Sequence, residues 1–274
     1  MSRVAVIGLV GRSVFLGVDH FHVGGETLRA RDFHFEFGGK GCNQAVAASR
    51  WGAEVAFLGA IGRADAAKAT AALGREDVRA RLVEREGDSA YAVIVTDSAG
   101  ATHVTVYEGE AVLAVEDVAA FAPEIISADV LLLTNEVPPE VNDRAAEIAE
   151  RHGVRIVLNP APSRPLSPTL RRCVSLYTPN AFETADLPDA AEQIVTLGAE
   201  GCLVKSTGRR LPAARHGQAV DTTGAGDTFN GVLAALLAEG ASIEEAAEAA
   251  NDAAGRSVCG RYVMPSIPRR PARL

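Results

Sequence analysis

The sequence contains few cysteines, and they form no recognisable motif. Its four cysteines are scattered along the chain at Cys42, Cys173, Cys202 and Cys259, and no two of them make a Cys-x-x-Cys pair. No histidine spacing completes a zinc-binding set with them. The sequence therefore predicts no structural zinc site, and the cysteine usage is typical of a protein of the reducing cytoplasm.

An excess of positive charge and long apolar runs are also lacking. Lys and Arg number 27 against 35 Asp and Glu, a formal net charge of −8. Nucleic-acid binding needs clustered cations that neutralise phosphates, so this balance argues against a nucleic-acid partner. The apolar run Val4–Val10 is too short to cross a bilayer, and no Ala-x-Ala cleavage site follows it. We expect a first core strand there and no membrane partner.

Short β-rich apolar runs alternate with longer Ala-rich stretches. This alternation is typical of an α/β fold, a parallel sheet with helices on both faces. At 274 residues, 47% of them hydrophobic, the chain can bury one substantial core, and we expect one domain over 1–274. Strands are predicted over Val4–Ile7, Val55–Leu58, Val130–Leu133 and Arg155–Leu158, and helices over Lys40–Trp51, Asp65–Leu73 and Glu140–His152.

Two stretches break the alternation and look like hairpins. Phe15–Val23 pairs with Ala30–Phe37 in the first, and Tyr91–Thr96 with Thr102–Tyr107 in the second. The turn 97–100, Asp-Ser-Ala-Gly, separates the second pair. Two interpretations stay open here, a small separate sheet or edge strands of the main sheet.

A glycine-rich segment near the C-terminal end carries the strongest chemical signal. Asp221-Thr-Thr-Gly-Ala-Gly-Asp227 leads directly into an apolar helix over 232–238. Free N–H groups at a helix N-terminus attract a phosphate, and a carboxylate in the first turn can take a hydroxyl proton. The segment is neither a Walker A loop nor a dinucleotide fingerprint. Alone, it could also be an ordinary glycine turn with an acidic helix start.

A second glycine turn opens the predicted helix at Lys40. Gly38-Gly39-Lys40-Gly41 is followed by Asn43, so polar groups lie in the first helical turn, where a hydroxylated ligand could bind. The alternative is a solvated turn before an ordinary helix with a buried Ala stripe.

Together the two motifs resemble the paired signatures of the PfkB carbohydrate kinase family, also called the ribokinase-like family, and they lie closest to its ribokinase branch. The resemblance extends over nearly the whole chain. It implies a ribokinase-like, doubly wound and mostly parallel sheet with helices on both faces. It also implies a small β lid from about 12–37 and 89–108, which often forms a dimer contact. Further landmarks in the family's order are Gly25-Glu26-Thr27, Asn159-Pro160-Ala161-Pro162, Thr178-Pro179-Asn180, Thr196-Leu197-Gly198 and Pro265–Pro268.

The resemblance implies an ATP-dependent kinase that phosphorylates a hydroxyl of a small sugar, sugar phosphate or related polyol. Asp227 would be the base, and Gly224, Ala225 and Gly226 would form the anion hole. ATP and Mg²⁺ would be the cofactors, with Glu183 serving Mg²⁺ through water and Asp221, Thr223 and Ser266 matching a K⁺ loop. Implied substrate contacts are Gly11, Ser13, Gly38, Gly39, Lys40, Asn43, Glu136 and Asp227, and implied nucleotide contacts are Asn180, Thr196, Gly198, Gly201, Gly226 and Asn251.

The sequence departs from the family pattern at several positions. Gly11 and Ser13 stand where sugar kinases of the family have an Asn and an Asp, which removes discriminating hydrogen bonds and disfavours ribose. Arg12 between them could face an anionic substrate. Tyr262 occupies a position usually held by glycine. The segment 184–195 is short for a helix with its connections, so part of the cover over the nucleotide could be missing.

Two other functions stay open at this point. One is a nucleoside kinase, including a pseudouridine kinase, because the same scaffold serves both substrate classes. The other is a catalytically silent regulator that binds a sugar or a nucleotide. The acid flanked by glycines at Asp227 argues against the silent protein.

Overall fold

Six parallel strands form the central sheet, in the order β10-β9-β8-β1-β4-β5. The computed structural model describes residues 2–184, 187–188 and 191–271. In chain order, the strands are β1 (Arg3–Ile7), β2 (Gly11–Gly17), β3 (Asp32–Gly38), β4 (Glu54–Gly62), β5 (Val78–Arg85), β6 (Ala90–Thr96), β7 (Thr102–Tyr107), β8 (Val130–Thr134), β9 (Arg155–Asn159), β10 (Leu176–Tyr177), β11 (Ile194–Thr196), β12 (Cys202–Val204) and β13 (Arg209–Leu211).

Helices cover both faces of this sheet, as a parallel sheet requires. Leu132 of β8 packs in one apolar cluster with Val46 and Leu233, whereas Leu133 packs in the other with Val141. None of the helices that the structure describes is long and apolar enough to cross a membrane. The helices are α1 (Lys40–Arg50), α2 (Arg63–Gly74), α3 (Val115–Ala120), α4 (Ala122–Ile126), α5 (Pro139–Arg151), α6 (Pro168–Cys173), α7 (Ala225–Ala238) and α8 (Ile243–Ser257).

The predicted hairpins form a separate four-stranded sheet, ordered β3-β2-β6-β7, which we call the lid sheet. The expectation of a small sheet is confirmed, and the alternative of edge strands in the main sheet is wrong. Strand β2 begins at Gly11, earlier than predicted, because it pairs with β6 from Gly11 to Gly17 immediately after leaving the main sheet. Strands β11, β12 and β13 form a third, antiparallel sheet.

The register of the lid sheet fixes which side chains share a face. Ser13 lies opposite Glu36 on β3, and Phe15 lies opposite His34. Successive residues of a strand point to opposite faces. Ser13, Phe15, His34 and Glu36 therefore share one face, and Arg12 lies on the other.

Candidate active site

The two glycine motifs meet where α1 crosses α7. Asp227, in the first turn of α7, is 6% exposed. Its Oδ2 accepts a hydrogen bond of 2.8 Å from Asn43 Nδ2, and its Oδ1 accepts one of 3.3 Å from Gln44 Nε2. Gln44 Nε2 also donates to Asn159 Oδ1, at 3.1 Å. Two neighbouring residues of α1 thus fix the orientation of the buried carboxylate.

Gly224 and Gly231 make this crossing and its entry turn possible. Gly224 precedes α7 with φ at 76°, a left-handed conformation that favours glycine. One turn beyond Asp227, a Cβ added to Gly231 would lie 2.3 Å from the carbonyl oxygen of Gln44. The two backbones approach too closely there for any side chain.

Lys40 is the positive charge of the site. The pKa of its ammonium is raised, first by the charge of Asp227 and further by Glu136 and Glu183, against the opposing effect of burial. The ammonium therefore stays protonated among three carboxyl groups. A cation in this position can contact either a phosphate or a substrate hydroxyl.

Glu136 follows β8 and faces the N-terminus of α1. Its two carboxyl oxygens accept hydrogen bonds from the backbone N–H groups of Lys40, at 3.0 Å, and Gly41, at 3.1 Å. The pKa of Glu136 is raised to about 7, chiefly by burial and also by the charge of Asp227, against the opposing effects of these two amides and of the Lys40 ammonium. Glu136 can therefore change its protonation state near neutral pH.

A cavity of about 290 Å³ lies over Asp227. On its wall Glu183 accepts hydrogen bonds from Asn180, at 2.9 Å from the backbone N–H and 2.8 Å from Nδ2. Thr196, the last residue of β11, also lines this cavity. The lining brings together eight of the predicted site residues, namely Lys40, Asn180, Glu183, Thr196, Gly198, Gly224, Gly226 and Asp227.

A second cavity, of about 450 Å³, shares Gly198 and the start of α7 with the first. Its wall is mostly alanine and glycine, and it includes Asn251, whose Nδ2 donates to the carbonyl oxygen of Pro212 at 2.7 Å. Gly201 lines neither cavity. A Cβ there would lie 2.0 Å from the carbonyl oxygen of Leu211, so the close approach of β13 accounts for this glycine.

The remaining predicted substrate contacts lie where the lid sheet meets α1. Gly11 pairs with Gly38 across β2 and β3, and Gly39 directly precedes α1. Ser13 Oγ lies 2.6 Å from where a Cβ on Gly38 would be. The buried Asn43 Oδ1 accepts no hydrogen bond from any residue that the structure describes, so it can accept one from a ligand.

Arg12 does not join this group. It lies on the opposite face of the lid sheet, where its guanidinium pairs with the buried carboxylate of Asp65 through an Nε–Oδ2 hydrogen bond of 2.8 Å. Ser89 Oγ donates to the same carboxylate at 2.6 Å. The strand alternation therefore turns Arg12 away from the face that carries Ser13.

The predicted cation loop is assembled around Asp221. Its Oδ1 accepts from the N–H of Thr223 at 2.9 Å, and its Oδ2 accepts from the N–H of Tyr262 at 3.2 Å. The hydroxyl of Ser266 donates to the carbonyl oxygen of Arg261, at 3.0 Å. Asp221 and Thr223 thus lie together, whereas the Ser266 side chain is directed to its own turn.

Sequence reasoning missed several polar residues of the site. Gln44 contacts Asp227 directly, and Asn159, Thr178 and Asn230 line the cavity above it. A signal was present for three of them. Gln44 interrupts the Ala stripe of α1, Asn159 opens the Asn-Pro-Ala-Pro landmark, and Thr178 opens the Thr-Pro-Asn landmark. We also expected the short segment 184–195 to leave part of the nucleotide uncovered, and some residues of this segment lie outside the described ranges.

Comparisons with known proteins identify the family. A model of the pfkB family carbohydrate kinases matches residues 1–270. Ribokinase of Haemophilus influenzae is 33% identical over 98% of this chain and 96% of its own length, and ribokinase of Bacillus subtilis is 34% identical over 98% and 97%.

Solved structures show the same fold. Ribokinase of Thermotoga maritima superposes with a TM-score of 0.85 at 27% identity, covering 98% of this chain and 97% of that one. Arabidopsis thaliana ribokinase complexed with ribose and ATP gives a TM-score of 0.83 at 24% identity, covering 98% and 96%. The expected family and fold are confirmed: the chain belongs to the pfkB family of carbohydrate kinases, phosphotransferases that act on an alcohol group.

Proposed function

We propose that this carbohydrate kinase transfers the γ-phosphoryl group of ATP to a hydroxyl of a small sugar, sugar phosphate or related polyol, with Asp227 as the general base. The observation that carries the proposal is the buried Asp227 carboxylate, held by Asn43 and Gln44 beneath a cavity that Lys40 also lines. A fixed carboxylate beside a helix N-terminus suits a transition state that depends on orientation and charge stabilisation.

The start of α7 is the proposed anion hole. Amides in the first turn of a helix have no earlier carbonyl partner within the helix, and the helix dipole adds positive potential there. The Ala225 N–H already donates to the Thr222 carbonyl at 3.3 Å. We therefore assign the larger share of charge stabilisation to Gly226, with Gly224 setting the turn and Ala225 contributing when its weak hydrogen bond is exchanged for a phosphate.

The nucleotide would extend between the two cavities. The cavity of about 450 Å³, lined by Asn251 and Gly198, fits the base and ribose because it is the larger of the two and its wall is mostly alanine and glycine. The cavity of about 290 Å³ over Asp227 fits the phosphates. Asn180 and Thr196 line the phosphate end. Gly201 would act indirectly, by shaping the turn beside Gly198.

Glu183 fits a role toward Mg²⁺. Both of its carboxyl oxygens accept one hydrogen bond from Asn180, which holds the group in place and leaves further lone pairs for metal-bound water. When bound, Mg²⁺ would offset negative charge on the phosphates. For a K⁺ ion we propose the loop of Asp221, Thr223 and Ser266 that the family resemblance implies, in which the Asp221 carboxylate accepts from the Thr223 N–H and so lies beside it.

The acceptor sugar would lie between α1 and the lid sheet. Asn43 Oδ1, Ser13 Oγ and the Glu136 carboxyl group offer hydrogen-bonding positions, and Lys40 offers a cation. Gly11, Gly38 and Gly39 would form the backbone floor. The acceptor hydroxyl would then point toward Asp227, which receives its proton as the phosphoryl group moves.

The lid sheet supports a further proposal, a homodimer built through it. The whole of β7 is exposed at one edge of this sheet, with Val104 54% and Val106 58% exposed. An exposed strand edge of this kind can pair with another chain.

We propose one kinase domain over 1–274, with the lid from about 12–37 and 89–108. We also propose a cytoplasmic location, on the cysteine usage of the sequence.

ADP release tests the proposed function. With Mg·ATP and a panel of pentoses, hexoses, their phosphates and nucleosides, we expect turnover of at least one sugar-like acceptor. Asp227→Asn should lower turnover by about 10²–10⁴-fold, the usual contribution of a general base. Asp19→Asn, at a surface aspartate, is the matched control.

Two results would contradict this assignment. Turnover confined to nucleosides would favour the nucleoside kinase. If no acceptor supports ADP release that depends on Asp227, while ligands still raise the melting temperature, the chain is a binding protein.

A further inference from the structure

Tyr262 has a backbone conformation that its side chain does not favour. Its φ is 68°, in the left-handed region where glycine is the usual residue. Such a conformation persists only where the surrounding structure enforces it, and it often marks a functional position. Contacts of the Tyr262 side chain must therefore offset the free-energy cost of this backbone conformation.

Those contacts come from the lid sheet. The Tyr262 ring stacks on His34 with centroids 4.0 Å apart and planes 15° apart, and it meets Phe15 edge-on at 5.3 Å. Both partners lie on the face of the lid sheet that carries Ser13. Aromatic pairs of these geometries are attractive beyond simple burial.

A carboxylate reinforces the same junction. Glu36 of β3, beside His34 on that face, accepts hydrogen bonds at Oε1 from the N–H groups of Val263, at 3.1 Å, and Met264, at 3.2 Å. His34 Nε2 lies 2.9 Å from Glu36 Oε2. The lid sheet is thus joined to the segment 262–264 by two aromatic contacts and a buried carboxylate.

The segment 262–264 in turn contacts the start of α7. The Tyr262 N–H donates to Asp221, whose other oxygen accepts from Thr223, one residue before Gly224. Val263 packs on Gly224 so closely that an added Cβ would lie 2.4 Å from Val263 Cγ1. A displacement of Tyr262 must therefore move either Asp221 or the turn that opens α7.

We propose that Tyr262 is a positioning residue that couples the lid sheet to the anion hole, so that the position of the lid over the acceptor and the geometry of the 221–226 turn change together. This inference rests on the proposed function. Tyr262 touches no reacting atom in this scheme. The aromatic ring provides the contact with the lid sheet, and the backbone N–H provides the contact with Asp221. Removing the ring should therefore break the coupling on the lid side only.

Replacing Tyr262 by glycine tests the coupling without threatening the fold. Glycine adopts φ near 68° at no steric cost and keeps the N–H that donates to Asp221, so Tyr262→Gly removes only the ring. Tyr262→Phe keeps the ring and is the conservative variant. Melting temperatures of both variants establish that they are folded.

Amide hydrogen exchange reads the coupling directly, with Mg·AMP-PNP as the probe. In the parent and in Tyr262→Phe, the nucleotide should slow exchange both in 221–226 and in β3 of the lid. In Tyr262→Gly, where the Glu36 contact with Val263 and Met264 remains, the nucleotide should slow exchange in β3 clearly less than in the parent, while 221–226 stays equally protected. Equal protection of β3 in Tyr262→Gly and the parent would overturn the proposal.

Kinetics give a second readout, with the acceptor of highest turnover in the panel. Loss of two aromatic contacts should lower kcat/KM for the acceptor about tenfold in Tyr262→Gly, whereas Tyr262→Phe should match the parent. A Tyr262→Gly enzyme with parental kcat/KM refutes the coupling but leaves the proposed function intact. A parent without activity on any acceptor refutes the proposed function, while the exchange experiment still decides the coupling.

Discussion

Glu136 and Asp227 show how neighbouring carboxyl groups of one site are prepared for different tasks. Asp227 is held by two side-chain amides and faces the ammonium of Lys40. Glu136 is held by two backbone amides at the start of α1. Its burial raises the pKa to about 7. A general base for phosphoryl transfer needs a carboxylate held in a fixed orientation, as Asp227 is. Glu136, with its raised pKa, can instead donate a hydrogen bond to a sugar hydroxyl or accept one from it.

The raised pKa of Glu136 predicts a pH dependence of stability. Between pH 4.5 and about 7 the folded state retains a proton that the unfolded state releases, so the free energy of unfolding falls as the pH rises through this window. Glu136→Gln removes this dependence. The parent should therefore lose on the order of 2 kcal/mol relative to the variant between pH 4.5 and pH 7.

Urea unfolding at several pH values, without ligand, measures this difference. Glu108→Gln, at an exposed carboxyl group, is the matched control and should follow the parent. A constant difference between Glu136→Gln and the parent over this range would show that Glu136 has an ordinary pKa.

The residues of the site were predictable to different degrees. Asp227, Lys40 and Asn43 stand in two glycine motifs that together resemble the paired signatures of the family, and that resemblance implies a phosphate site beside a hydroxyl acceptor. Gln44 was missed because one polar residue in an Ala stripe does not reveal which helix it faces. The direction of Arg12 was equally open, since it depends on the register of β2 against β3 and β6.

At the scale of elements, the crossing of α1 and α7 decides the geometry of the site. Gly231 of α7 contacts the backbone of α1 at Gln44, one turn from Asp227. Any side chain at position 231 must push the helices apart and so lengthen the hydrogen bonds from Asn43 and Gln44 to Asp227. A substitution of Gly231 should therefore lower both the stability of the protein and its catalytic rate.

Gly231→Ala should destabilise the protein by about 1–3 kcal/mol, the usual cost of overpacking a core. It should also lower kcat, because the carboxylate loses its fixed orientation. Gly74→Ala is the control, since a Cβ added at this end of α2 would meet no atom of another described element within 4 Å. Denaturant unfolding and ADP release measure both effects. A Gly231→Ala enzyme with parental stability and kcat would show that the two helices can separate without consequence.

The elements themselves were predictable where pattern and burial coincide. The strand predicted over Val130–Leu133 matches β8, because both of its faces are buried and the run is continuously apolar. Strand β5 was missed because charged residues alternate along its exposed edge, as in Val78-Arg79-Ala80-Arg81. The predicted strand over Val55–Leu58 was too short, since β4 continues to Gly62 through its pairing with β5.

At the scale of the whole molecule, strand β7 leaves one edge of the lid sheet exposed along its whole length. Val104 and Val106 on β7 share a face with Phe15 and Ser13, as the register across β6 shows. This face reaches beyond the site and stays exposed at the β7 edge. In the proposed dimer, a second copy of the chain would cover these side chains.

The double variant Val104→Asp/Val106→Asp tests this assembly. Two carboxylates placed in an apolar contact without partners should weaken a dimer about 100-fold or more. Sedimentation velocity over a concentration series should therefore show a dimeric parent and a monomeric variant. Val112→Asp/Ile126→Asp adds the same charges at exposed apolar residues outside the lid sheet and should leave the dimer intact. Because all four positions are exposed in the single chain, melting temperatures should change little. A monomeric parent, or a variant that stays dimeric, would exclude the lid as the contact between copies.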